Sequence, residues 1–126
     1  IFREIETSSL LKVKGWNINL GNQNVWELDI FSLDSFINLT DLKLLPSKLS
    51  GTGEIFLGPN LEIDNLSLSG NYQVTVPNDL SILVKGQAQV PDQWLDASVG
   101  NLNNPDKTYT VVIEIIDGSQ VIFKDG

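Results

Sequence analysis

The sequence predicts an all-β domain of stacked short strands, β-solenoid-like, on three observations. Apolar and polar residues alternate through most of the 126 residues, the period of a strand rather than of a helix. Ile, Val, Leu, Thr and Phe fill the runs, and Gly, Asn, Asp, Ser and Pro break them. An apolar pair also recurs as Ile18-x-Leu20, Ile37-x-Leu39, Ile55-x-Leu57 and Val74-x-Val76, at intervals of 19, 18 and 19 residues.

Short strands are expected at 5–13, 16–20, 26–31, 36–39, 42–44, 53–57, 61–63, 66–68, 72–76, 80–84, 88–90, 109–116 and 120–124. Each apolar pair is followed by a break: Gly21-Asn22, Thr40-Asp41, Gly58-Pro59-Asn60 and Pro77-Asn78-Asp79. A further alternation follows three of the breaks, as Leu42-x-Leu44, Leu61-x-Ile63 and Leu80-x-Ile82; in the looser first copy Leu28-x-Ile30 arrives late. Corners precede the pairs at Gly15, Asp34-Ser35, Gly51-Thr52-Gly53 and Gly70-Asn71.

A period of 18–19 residues suits either one solenoid coil or one hairpin of a meander. Hairpins favour Asn-Gly or Asp-Gly turns, which are missing between the paired runs. The copies also keep parity, so Ile18, Ile37, Ile55 and Val74 are expected to form one buried ladder, with Leu20, Leu39, Leu57 and Val76 beside it. A β-sandwich or meander is the alternative. Residues 91–107, with Pro91, Gly100 and Pro105, read as an irregular excursion. Closing strands over 108–124, turning at Asp117-Gly118, are expected to cover one end of the stack. The whole, 1–126, reads as a single domain.

Composition excludes several chemistries. Without cysteine there is no disulfide framework and no thiol nucleophile, and without histidine there is no imidazole metal site or Ser-His-Asp triad. Eight Lys+Arg against 16 Asp+Glu leave a net charge of −8, which repels phosphate backbones and anionic headgroups and attracts cationic peptides. No nucleic-acid partner, no cofactor and no metal are expected. No apolar run is long enough to span a bilayer, and the chain opens on Ile1, so it reads as an excised fragment or mature chain whose membrane anchor lies outside it.

The stretch WNINLGNQNVWELDIFSLDSFINLTDLKLLP resembles the C-terminal domain of LiaF-like proteins, the cell-wall-active antibiotic response family, and the related toast-rack bacterial surface domains, which implies a toast-rack-like fold. The matching positions are Trp26, Leu28, Asp29, Asp34, Ile37, Leu39, Thr40, Leu42, Leu45 and Pro46. YQVTVPNDLSILVKG is similar to that family's Val-x-Val-Pro-x-Asp module at Val74, Val76, Pro77, Asp79, Leu80 and Ile82, and VVIEIIDGSQVIFK to its closing strands. The likeness runs from about Trp16 to Lys124, although the family's Gly-Asp corners are mostly replaced. It implies the extracytoplasmic soluble part of a membrane-anchored accessory protein that restrains an envelope-stress sensor kinase by binding, without catalysis. The alternative is a wall-polysaccharide-binding or carbohydrate-active domain.

Binding is expected where the repeat fails. The interface candidates are Trp94 and Leu95 in the excursion, where a hydrophobic plug is the other reading of Trp94, together with Phe31 and Leu33 in the first copy. Trp16 and Trp26 are expected in the core or as end caps. Glu62-x-Asp64 places two carboxylates on one strand face, a conceivable calcium site or glycosidase pair but more simply a solvated face. Gly51-Thr52-Gly53 lacks the Lys-Ser/Thr of a phosphate loop and reads as a tight corner. The sequons at Asn38 and Asn65 carry Leu39 and Leu66 at inward positions.

Overall fold

The computed structural model describes residues 2–3, 11–21, 25–77, 80, 82–92 and 109–126. Its strands are β1 (Phe2–Arg3), β2 (Leu11–Lys14), β3 (Asn17–Leu20), β4 (Val25–Leu39), β5 (Leu42–Leu44), β6 (Ser47–Leu57), β7 (Leu61–Val76), β8 (Ile82–Lys85), β9 (Val111–Ile115) and β10 (Gln120–Asp125). No α-helix occurs among the described residues. β1 lies antiparallel on β4, and every other strand pairing is parallel. The result is a barrel-like parallel sheet closed around one apolar core. The sandwich or meander alternative is therefore corrected, because both pair neighbouring strands antiparallel.

The register explains the period in the sequence. Ile18 lies beside Ile37, Ile37 beside Ile55 and Ile55 beside Val74. Leu20, Leu39 and Leu57 align in the same way. A third ladder joins Ile30, Leu49, Leu68 and Ile115. All of these side chains are buried. Each is worth about 1.5–3 kcal/mol on leaving water. Parallel pairing in a steady register makes the distance along the chain equal to the circuit of the sheet, apart from one bulge, so like residues meet.

The single 18-residue interval is a bulge. Ser32 faces Gly51, but Ser35 faces Gly53, so β4 spends one more residue than β6 in rounding the corner. Asp34 takes up that excess in the left-handed region, with φ 54°. Several expected short strands are thereby joined: 26–31 and 36–39 are one strand, β4, and 61–63, 66–68 and 72–76 are one strand, β7. Their corners bend the backbone without interrupting its pairing.

Glycine is required at two stacked corner positions. Gly51 and Gly70 have φ of 111° and 126°. A Cβ on Gly51 would lie 1.9 Å from the Ser32 carbonyl oxygen, and one on Gly70 would lie 2.0 Å from the Gly51 carbonyl oxygen. No side chain fits between backbones that close. At another corner Asp41 and Asn60 adopt φ of 50° and 59°, a conformation that short polar side chains tolerate.

Buried serines satisfy the backbone where corners leave it unpaired. Ser47 Oγ accepts from the Leu28 amide at 2.9 Å and donates to the Leu45 carbonyl at 2.7 Å. Ser32 Oγ lies 3.2 Å from the Thr52 carbonyl, to which it can donate, and 3.2 Å from the Tyr72 hydroxyl, with which it shares a hydrogen bond. These bonds remove the desolvation penalty that orphaned polar groups would carry.

The end of the chain departs from expectation. β9 is not a cover over the stack: it lies between β7 and β8, with Val111 beside both Ile63 and Ile82. β10 lies on β7 and sets Phe123 beside Val74. Ile82 is thus one strand removed from Ile63, although the sequence presents Leu61-x-Ile63 and Leu80-x-Ile82 as successive copies. A parallel return needs a long connection, and residues 86–110 supply it. The expected strand at 88–90 is reduced to one bridge, Gln89 with Ile122.

Candidate functional site

Two outward surfaces combine large apolar side chains with organised polar groups. The first surrounds the corner between β2 and β3. Phe31 and Leu33 alternate with the buried Ile30 and Ser32, which forces them outward, and both are exposed. Lys12 lies beside Phe31 and Lys14 beside Leu33 in the β2–β4 register. Lys48 and Asp29 form the next pair on this face. Gly15, in the left-handed region, turns the chain there, and its amide donates to the Leu33 carbonyl at 2.9 Å. Trp16 follows at 49% exposure, with its carbonyl bonded to the Phe36 amide. The expectation that Trp16 is core or a cap is corrected: it sits on the corner itself, where both neighbouring side-chain rows point to solvent.

The second surface is the outward face of β3, β10 and the C-terminal halves of β4, β6 and β7. One row runs Asn17, Phe36, Glu54, Gln73, Ile122; the next runs Asn19, Asn38, Phe56, Thr75, Lys124. Phe36 and Phe56 stack near-parallel, with centroids 6.5 Å apart and planes at 16°. Asn17 Oδ1 accepts from Asn38 at 3.1 Å and from Asn19 at 3.3 Å. Between Phe36 and Ile122 runs an open groove of about 470 Å³ whose walls include Asp34, Glu54, Asn71, Gln73 and Gln120. The Asp34 carboxylate accepts from Thr52 Oγ1 at 3.4 Å. Tyr72 lies along the groove floor with its side chain turned inward to Ser32; burial pushes its phenol pKa up, and the Ser32 hydrogen bond opposes this in smaller measure.

The other sequence candidates separate. Trp94 and Leu95 lie outside the described residues, as does most of the 91–107 excursion. Trp26 packs against the core, with its Nε1 buried and unpartnered. Glu62 and Asp64 are both exposed, and Glu62 stands 3.9 Å from Lys43 across the β5–β7 pair. Among the described residues no three acidic side chains converge into a cation site. Leu39 and Leu66, inside the two sequons, are fully buried.

The groove was not singled out from the sequence. A signal for it exists: Ile55-Phe56-Leu57 and Phe36-Ile37 interrupt the alternation with an apolar residue on the polar parity. An apolar residue at an outward strand position either meets another layer or faces solvent, and here both phenylalanines face solvent.

Comparison with protein-family models, curated proteins and solved structures gives no match for this chain.

Proposed function

We propose that this chain is a β-solenoid domain of the toast-rack kind that acts by binding a protein partner, without catalysis. The observation that carries the reading is the β2–β3 corner. There Trp16, Phe31 and Leu33 expose apolar area beside Lys12 and Lys14, on a protein of net charge −8. An apolar centre with a charged rim is the anatomy of a protein interface, and aromatic side chains dominate its energetics. The lysine rim suits a partner with an acidic border.

The resemblance to LiaF-like domains supplies the setting: an extracytoplasmic module of a bacterial membrane-anchored accessory protein that restrains an envelope-stress sensor kinase. Among the described residues no helix is long and apolar enough to cross a membrane. The proposed attachment is assigned to residues beyond those given.

The test uses the purified domain as bait for detergent-solubilised bacterial membranes, with captured proteins identified by mass spectrometry. The wild-type chain should retain an envelope-stress sensor kinase. The double variant Phe31→Glu, Leu33→Glu should retain at least about ten-fold less, since it removes two interface anchors. Equal capture by the variant, or no kinase captured by either, overturns the reading.

A further inference from the structure

We propose that the groove on the outward face of β4, β6, β7 and β10 binds a neutral oligosaccharide, an extended chain of pyranose rings laid across the strands. This surface is separate from the β2–β3 corner, and the inference does not depend on a protein partner there.

Side-chain chemistry selects the ligand class. Asn71, Gln73 and Gln120 each offer both a donor and an acceptor, the pairing that a ligand dense in hydroxyl groups demands. Phe36 and Ile122 supply the apolar surface against which the C–H face of a sugar ring packs. The near-parallel ring of Phe56 extends that platform along the next row. Few other ligands ask for apolar faces and amides in alternation.

Charge narrows the class further. Among the described residues no lysine or arginine lines the groove, whereas Asp34 and Glu54 do. Uronic-acid, sulfated or phosphorylated polymers would meet two carboxylates within the groove, with Lys124 only on the neighbouring row, so the chain that fits is uncharged. Its hydroxyls can donate to those carboxylates, a charge-assisted bond stronger than a neutral one.

Shape and rigidity agree with a polymer. Four adjacent strands at about 4.8 Å spacing make a track about 14 Å long, room for a few sugar rings. The groove is open rather than enclosed, so a chain can enter and leave at its ends. The residues stand on strands held by parallel ladders, and a ligand does not have to order them on binding. An extended peptide is a poorer fit. The backbone groups of β6 and β7 are taken up by neighbours on both sides, so this face offers a peptide no ladder to join.

The experiment is an NMR titration of the whole ¹⁵N-labelled chain with cellotetraose and chitotetraose, both neutral. At least one should give saturable shifts centred on Phe36, Gln73 and Ile122. Phe56→Ala and Gln73→Ala should each weaken binding about ten-fold, with a variant of the exposed β8 residue, Lys85→Ala, unchanged as control. Gln73 points outward from the core, so its variant keeps the fold even if the Phe56 variant does not, and urea midpoints check both. Four results overturn the proposal: no saturable shift with either oligosaccharide, shifts centred elsewhere, unchanged affinity in the folded variants, or tighter binding of oligogalacturonate than of the neutral chains. Displacement of the oligosaccharide by an apolar decapeptide that occupies the groove more tightly overturns it as well.

Discussion

Asn60 donates from Nδ2 to the Asp41 carboxylate at 2.7 Å, and both residues hold the same left-handed corner on adjacent circuits of the sheet. Each side chain therefore serves twice: its shortness permits the positive φ, and its polar end links one corner to the next. Asn60→Ala should cost about 1–2 kcal/mol, because a Cβ-bearing residue without a local hydrogen bond resists that conformation. Asn60→Gly should cost less than Asn60→Ala, since glycine loses the bond but not the backbone freedom. Urea denaturation of the two variants separates backbone from side chain, and a glycine variant less stable than the alanine variant would contradict this assignment.

Gly70→Ala should be among the most damaging single substitutions in the chain. The new methyl would sit 2.0 Å from the Gly51 carbonyl oxygen, so paired backbones would have to separate. A loss of about 3 kcal/mol or more is expected. Gly118→Ala is the comparison, with a φ of 87° but nothing within 4 Å of the added atom. Its cost should stay near the conformational term alone, about 1–2 kcal/mol. Equal unfolding midpoints for the two variants would show that close approach does not matter at Gly70.

Deleting residues 109–126 should unfold the domain rather than trim its end. β9 separates β7 from β8, and β10 supplies Val121 and Phe123 to the core, so their removal opens a gap inside the sheet. Replacing Phe123 alone by Ala should cost about 3–5 kcal/mol. Far-UV circular dichroism and thermal melting of the truncated chain read the result, and a cooperative melt near the wild-type midpoint would refute the interior placement.

Alkaline pH should destabilise the protein through Tyr72. Burial raises its folded pKa above the ordinary 10.0, so the unfolded chain loses that proton first. Fewer protons on the unfolded state mean that stability falls as pH rises. The Tyr72 contribution is complete below pH 10.0 and is lost from there up through the raised folded value. The wild-type urea midpoint should thus drop more steeply than that of Tyr72→Phe above that pH, while the two curves run parallel near neutrality. Identical slopes would mean that the phenol ionises as readily folded as unfolded.

The ladders were legible because alternation and period are properties of the chain alone. Ile18, Ile37, Ile55 and Val74 recur at nearly equal spacing, and a parallel sheet whose register shifts by one residue at the β4 bulge turns that spacing into contact. The break residues marked the corners for the same reason, since only Gly, Asn and Asp enter the left-handed region readily. Of the interface candidates, Phe31 and Leu33 were expected at the surface because the first copy is the loosest, and in the structure alternation with the buried Ile30 and Ser32 is what turns them outward.

The sequence by itself determined the strand content, the inward residues and the corners, because these follow from local stereochemistry and a repeated pattern. The tertiary structure alone decided the order of the strands. Val111-x-Ile113-x-Ile115 has the alternation of any other run, and nothing local says that it enters between β7 and β8. It alone also decided that Phe36 and Ile122, far apart in sequence, line one groove with Gln73 between them. Neighbours across a sheet are fixed by where a long connection returns, and the pattern of residues within a strand carries no record of that return.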